Sequence, residues 1–354
     1  MPPSQCDVPA ATARHGNARE PVPRGGTRAA VVVNPSKFAH PVELIRFRAR
    51  VDHEFRCHGW IPPLWFPTTA ETRGRQEART AAAAGVDIVL AAGGDGTIRT
   101  VAQELMGTGM PLGLLPAGTG NLLARNLGVP YNDAAGAVRI ICEGQDRAVD
   151  VGWLELDRTG DGTYAESHLF LVMAGTGFDA AMMAGAGRKM KQRWGHAAYL
   201  ISGARALGRM MEPTTVLVDG RLVVSGPSHG VIVGNCGTLT MGLSLMPDAD
   251  PGDGVLDGVV LLPRSITAWA RVAWAVGTRD PRPRNDMPRV RGCHIEVRSE
   301  TAQPVQVDGE LIGHARGLHT SLQEAGLIVR CRSVQPDGMV GPKGPIRQEA
   351  SPAR

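Results

Sequence analysis

Long apolar runs are missing from this 354-residue chain, as are CxxC motifs and most aromatics. No stretch reaches the ~18 uninterrupted apolar residues of a membrane-crossing helix, so a transmembrane span is not expected. The six cysteines, Cys6, Cys57, Cys142, Cys236, Cys293 and Cys331, are scattered without a CxxC pair. That argues against a zinc site or a disulfide framework and fits a reducing compartment. The histidines form neither HExxH nor a Cys/His cluster. The Walker pattern GxxxxGK[ST] is absent, which excludes a P-loop. The opening "MPPSQCDVPAATARHGNAREPVPRGGT" has arginines but no apolar h-region, so it predicts a disordered tail (1–27) and no secretory leader. Residues 335–354 read the same way.

What the chain does have is glycine and proline, 45 and 26 residues, so turns and close backbone approaches are frequent. Its 43% hydrophobic and 20% charged residues are ordinary for a globular protein. The length allows two domains. A formal charge of +4 suits anionic partners, nucleotides and acidic membrane surfaces among them, without selecting one.

From "RAAVVVNPS" onward, apolar runs alternate with helical patterns. Strands are expected at Ala29–Val33, "PLWFPTT", "VDIVLAA" (86–92) and "PLGLLPAG". Helices are expected over 41–55, 70–84, 98–106, "GNLLARNLG" and 133–143. This alternation predicts an α/β domain with a parallel, helix-covered sheet over 28–150. Beyond Asp150 short strands dominate, "VDVGWLEL", "SHLFLVMAG", "TTVLVDG", "RLVVSG", "GVIVGN", "LDGVVLL", "CHIEVRS" and "PVQVDG". Only two helical stretches interrupt them, around Lys189–Arg209 and Ser265–Val276. A mainly antiparallel, β-rich second domain over 151–317 follows, with a return segment at about 318–334 joining the first.

Ligands of doubly wound sheets bind beyond the carboxyl ends of the strands. "AAGGDGTIRT" (91–100) sits there. Gly93, Gly94 and Gly96 let the backbone approach a ligand and present N–H groups at a helix start, a ready anion site. Asp95 is the odd member, because a lone carboxylate repels phosphate. Its role is either linked to a cation or ribose hydroxyls, or that of a helix cap in a Gly-Asp-Gly turn. One βα unit later, "LLPAGTGNLLARNLGVP" supplies a second glycine loop with Thr119 and Asn121 as polar side chains. "VVVNPS" supplies a third strand end, and the three would line one crevice shaped for a triphosphate nucleotide. "AGTGFDAAMMAG" carries Gly175, Gly177 and Ala180 as GxGxxA, a weak lone match in the strand-rich half.

The motifs "NPS" (34–36), "GGDGT" (93–97), "PAGTGNLLAR" (116–125), "GTGFDA" (175–180), "DPGDGVLDGVVL" (250–261) and "VDGE" (307–310) occur in a telling order. In order and spacing the set resembles the diacylglycerol kinase catalytic-domain family, nearest to its bacterial diacylglycerol and sphingosine kinase-like members, over about 28–335. GGDGT alone is shared with NAD kinases and phosphofructokinases; the set is more specific. The resemblance implies a Rossmann-like N-terminal nucleotide-binding domain, a β-rich C-terminal domain, and a cytoplasmic, magnesium-dependent transfer of phosphate from ATP to a lipid hydroxyl. It implies ATP contacts at Asn34, Pro35, Ser36, from Gly93 and Gly94 through Asp95, Gly96 and Thr97 to Thr100, and at Gly118, Thr119, Gly120 and Asn121. Thr69 is a further contact, with Thr68 the alternative. Magnesium would be held by Asp253, the Val255 carbonyl and, more weakly, Asp250. Glu310 would be the general base with Asp308 beside it; the two would point the same way unless Gly309 bends the chain. Where the family has an Asn-Glu pair, this chain has Arg99-Thr100, and Arg99 is a candidate phosphate contact.

A lipid kinase must reach a bilayer, so peripheral membrane contact is expected and nucleic acid is not; a homodimer is left open. "RKMKQRWGH" (188–196) and "RDPRPRNDMPRVR" (279–291) are candidate basic patches. In "SITAWARVAWAVG", Ile266, Trp269, Ala273 and Val276 are expected to pack in the core rather than form an interfacial helix. Diacylglycerol is the preferred acceptor, ahead of a sphingoid base or another glycerolipid. Competing readings are a NAD kinase-like soluble enzyme and a non-catalytic nucleotide-binding module.

Overall fold

Continuous β-branched and aliphatic sequence makes the first sheet. β1 (Arg28–Val33) lies between β2 (Ile61–Pro67) and β3 (Ile88–Gly93), with β4 (Leu112–Pro116) beyond β3, all in parallel. A computed structural model describes residues 26–177, 211–240, 243–282 and 284–332. The connecting helices are α1 (Pro41–Cys57), α2 (Arg75–Ala83), α3 (Asp95–Leu105), α4 (Leu122–Asn126) and α5 (Ala134–Glu143). Every residue of β3, and all of β1 beyond Arg28, is buried, as expected of strands covered on both faces.

Two helix starts differ from the sequence reading. α2 begins at Arg75 rather than Ala70, because Arg73 and Gly74 have φ of 52° and 99°. The Thr69 and Thr72 hydroxyls, 3.1 Å apart, organise a turn there instead, a local competition typical of threonine. α3 begins at Asp95 rather than Ile98, since the Gly94 carbonyl already accepts from the Thr97 and Ile98 N–H groups at 2.9 and 3.0 Å. The glycine loop is thus the helix's first turn.

The second half consists of β5 (Gln145–Asp157), β6 (Glu166–Phe170), β7 (Met173–Gly177), β8 (Glu212–Val218), β9 (Arg221–Ser228), β10 (Gly230–Gly234) and β11 (Leu256–Leu261). Then come α6 (Ile266–Thr278), β12 (Arg289–Gly292), β13 (His294–Val307) and β14 (Glu310–Cys331). Pairings among these strands are antiparallel. β14 ties the halves together, pairing with β13 and β5, and in parallel with β4 at Val329↔Leu112. One apolar core underlies the α/β half and extends beneath α6; a second fills the antiparallel half around Phe170, Val216 and Ile295. Gly175 and Gly177 sit in β7 against β10, a sheet position rather than a dinucleotide loop. Ala180, the expected Lys189–Arg209 helix, the 188–196 patch, the C-terminal tail and all of the N-terminal tail before Gly26 lie outside the described residues.

α6 corrects one expectation. Ala268, Val272 and Ala275 are its buried stripe, with Trp269 and Val276 partly buried, but Ile266 is 71% exposed and Ala273 is exposed too. The Ser265 hydroxyl accepts from the Ala268 N–H at 3.2 Å and fixes where the helix starts. Both stripes are apolar, so hydrophobic periodicity alone did not say which faces inward.

Candidate active-site cleft

The ends of β1, β3 and β4 meet, and their loops interlock. The Asn34 side chain caps the short 3-10 turn Pro35–Lys37, accepting from the Ser36 N–H and hydroxyl at 3.0 and 2.8 Å. Its amide donates to Thr97 Oγ1 at 3.1 Å, joining the first loop to the second. The two glycine loops then touch backbone to backbone. A Cβ on Gly118 would stand 2.6 Å from Gly94 Cα, and one on Gly120 would stand 2.4 Å from Asp95 Oδ2. At Gly118 the obstacle is backbone, so glycine is required by the contact itself; at Gly120 it is the Asp95 carboxylate, which any larger residue would displace.

Asp95 is the first residue of α3. Its Oδ1 accepts from the Leu122 N–H at 2.6 Å, so it fastens the second glycine loop and the start of α4 to the first. Burial pushes its pKa up, opposed by the Leu122, Asn121 and Asp95 backbone N–H groups and by nearby Lys37. Asn121 does not offer its side chain to the crevice. It is fully buried with φ 49°, accepts from the Gly118 N–H at 3.1 Å and donates to the Gly118 carbonyl at 2.7 Å. Its amide holds the loop closed in a conformation that asparagine tolerates. Thr119, Gly96, Ser36 and Thr69 are exposed around this crevice's loops.

Lys37, which sequence reasoning did not select, lies over Gly94, with Cε and Nζ 3.3 and 3.4 Å from where a Gly94 Cβ would stand. Its position directly after "NPS" was the available signal. With the N-terminus of α3 it gives the crevice a cationic rim, and helix starts favour anions.

Across the cleft, β13 and β14 join through Asp308-Gly309, with φ of 47° and 83° and Val307 paired to Glu310. This is the tight hairpin geometry favoured by Asp-Gly. The bend separates the two carboxylates. Asp308 is buried and accepts from the Leu171, Val172 and Met173 N–H groups at 3.1, 2.9 and 3.1 Å. Burial drives its pKa up, while Arg99 and those three donors oppose. Glu310 instead projects to solvent, its side chain 56% exposed. Arg99, from α3, spans the gap. It donates to the Val307 carbonyl at 3.0 Å and to Glu310 Oε2 at 2.5 Å, and stands 3.8 Å from Asp308. The departure in the motif was readable; its partner two hundred residues away was not.

Beside Arg99, between α2, α3 and β6, opens a polar cavity of about 810 Å³. Arg73, Arg75, Arg79, Arg99 and His168 contribute to its wall. Glu71 lines it too, and Arg75 and Arg79 are already paired with Glu104 at 3.2 and 2.5 Å.

Asp250 and Asp253 are elsewhere and already engaged. Asp250 pairs with Arg147 and Asp253 with Arg291, and the Val255 N–H points at Asp253 Oδ1 at 3.3 Å. Among the described residues no three His, Cys, Asp or Glu side chains gather as a metal cluster. Magnesium favours several oxygen ligands in octahedral array. With a guanidinium on each carboxylate, this donor set does not fit it.

A parallel α/β half with a glycine-lined crevice, closed by an antiparallel half, is the two-domain architecture of diacylglycerol kinase- and NAD kinase-like proteins. The family model "Diacylglycerol kinase catalytic domain" matches residues 50–154, and "YegS C-terminal NAD kinase beta sandwich-like domain" matches 172–327. A Pseudomonas fluorescens protein named "Probable lipid kinase YegS-like" is 31% identical over 266 residues, covering 72% of this chain and 81% of that protein. The chain belongs to this diacylglycerol kinase-like family. A Mycobacterium tuberculosis "Diacylglycerol kinase" is 34% identical over 180 residues, 50% of this chain. That match spans only 55% of the relative's length. In fold, a diacylglycerol kinase crystal structure from Bacillus anthracis superposes with a TM-score of 0.65 at 20% identity, covering 89% of this chain and all of that one.

Proposed function

We propose that this protein is an ATP-dependent lipid kinase that transfers the γ-phosphate to a lipid hydroxyl, with diacylglycerol as the preferred acceptor and phosphatidic acid as the product. The observation that carries the reading is the Arg99 bridge: one side chain, rooted in the helix that the GGDGT loop starts, reaches Glu310 in the other half. The nucleotide loops and the proposed base therefore face one cleft.

In this reading the triphosphate lies along the Gly93–Thr97 and Gly118–Asn121 loops, against α3's N-terminus, with Lys37 offsetting its charge. Phosphoryl transfer depends mainly on such positioning and charge stabilisation. Glu310 takes the proton as the lipid oxygen bonds to the γ-phosphorus and the bond to the ADP oxygen breaks. Asp308 is a positioning residue, fixing the turn on which Glu310 stands. A magnesium ion accompanying ATP would supply charge neutralisation at the phosphates. No role falls to the Asp250–Val255 loop.

Radiolabelled ATP offered with a panel of lipids in mixed micelles tests the reading. Label should appear in phosphatidic acid, with Asp95→Asn nearly inactive. Label in a different phospholipid would correct the acceptor. Label in a soluble nucleotide would replace the reading with the NAD kinase-like one.

A further inference from the structure

α6 has a second apolar stripe. Ile266, Ala270, Ala273, Trp274 and Gly277 recur at helical spacing and are all exposed, Ile266 by 71% and Trp274 by 69%. The helix holds no acidic residue. From Arg264 to Arg291, seven arginines stand against two aspartates. Both aspartates are taken, Asp280 by Arg284 at 2.6 Å with Arg282 at 3.9 Å, and Asp286 by Arg271 at 2.7 Å, while Arg289 and Arg291 pair with Asp248 and Asp253 outside the segment. Arg264 near the helix start and Arg282 just past its end are exposed, Arg282 by 85% of its side chain.

An apolar face carrying a tryptophan, bordered by arginines, is the composition of a helix that lies in a membrane interface. Charge narrows the choice of occupant. A second copy of the chain would bring the same arginines against these, whereas an anionic bilayer would meet them with phosphates. The helix is also tied to the nucleotide side. The Val276 carbonyl accepts from the Ser244 N–H at 3.1 Å, in the loop whose Thr238 exchanges hydrogen bonds with Asn126 at the end of α4.

We infer that α6 docks the protein on an anionic bilayer surface, with Ile266 and Trp274 entering the headgroup boundary and Arg264 and Arg282 meeting lipid phosphates. This deepens the lipid-kinase reading by naming the face turned to the membrane. Vesicle binding measured without ATP keeps the two apart, because turnover on detergent-dispersed lipid reports on the kinase reading alone.

The experiment is co-sedimentation of the full chain with phosphatidylglycerol-containing or pure phosphatidylcholine vesicles. Wild type should prefer the anionic vesicles and release as salt rises. Ile266→Ser with Trp274→Ser should lower binding at least about tenfold, and Arg264→Gln with Arg282→Gln should erase the anionic preference. A double serine variant that binds like wild type, or a wild type that binds both vesicles equally, overturns the proposal. So does light scattering that shows a wild-type dimer converted to a monomer by the serine pair, which would make the face a self-association surface. A readout independent of lost folding is quenching by bromine-labelled lipid. Trp274→Phe should bind as wild type does but lose most of the quenching, and unchanged quenching in that variant refutes insertion at Trp274.

Discussion

Asp308→Ala should unfold this protein more readily than it alters its chemistry directly. The side chain is 2% exposed and accepts from three consecutive backbone N–H groups at 2.9–3.1 Å. Hydrogen bonds to a charged acceptor contribute about 1.5–3 kcal/mol each, and orphaned buried donors cost about 1–3. Alanine at φ 47° adds about 1–2 kcal/mol of left-handed strain. Opposing these is the cost of keeping a carboxylate in a site that burial disfavours. Partial relaxation of the 171–173 segment and water entry trim the sum, so about 3–5 kcal/mol is expected, much of a typical domain's ~5–15. Urea unfolding followed by circular dichroism measures it, with the midpoint falling at unchanged slope. A loss under about 1 kcal/mol would refute the assignment of Asp308 as the turn's anchor. Because of that role, a dead Asp308 variant says nothing about the base until its folded fraction is known.

Arg99→Ala should cost about 1–3 kcal/mol of stability and lower kcat while leaving the Kd for ATP unchanged by calorimetry; a weakened Kd with normal kcat would make Arg99 a phosphate contact instead. Asp95 carries a pH signature. Its pKa is raised by burial in the folded state, so the stability it contributes is present below the ordinary carboxylate value and is lost as pH rises through the raised one. Asp95→Asn should therefore melt no lower than wild type at neutral pH, although nearly inactive, and fall behind only in acid; a lower neutral melting temperature contradicts the burial argument. Asp253→Asn should change stability by no more than about 1 kcal/mol, as for other exposed ion pairs, and leave the magnesium dependence of turnover unaltered. A shifted magnesium requirement would restore that loop as a metal site.

Much of the fold is legible in the chain because β1, β3 and β4 are buried on both faces and show as plain apolar runs. The glycine loops are legible for a related reason: Gly118 records a backbone contact that no other residue permits, and Gly120 the close approach of the Asp95 carboxylate. What stays hidden depends on partners distant in sequence. β14 runs unbroken over Glu310–Cys331, yet "LIGHARGLHTSLQEAG" mixes glycine, histidine and charge, since its two faces meet different neighbours along its length. Asp308 and Glu310 look alike as letters, and the left-handed Asp-Gly turn sends one inward and the other out. Asn121 reads as a polar ligand group but is consumed by its own loop. The acidic run around Asp253 reads as a cation cage only while Arg147 and Arg291 are out of view.

Glu310→Gln tests the central claim most directly, because it keeps size and an acceptor oxygen for Arg99, touches an exposed side chain, and removes the basicity together with the charge facing Arg99. Single-turnover transfer of label from ATP to diacylglycerol should fall by about 10²–10⁴-fold, with ATP affinity and melting temperature close to wild type. Wild-type transfer by the Gln variant would contradict Glu310 as the base, and no transfer to any lipid by the wild-type protein would contradict the kinase reading itself.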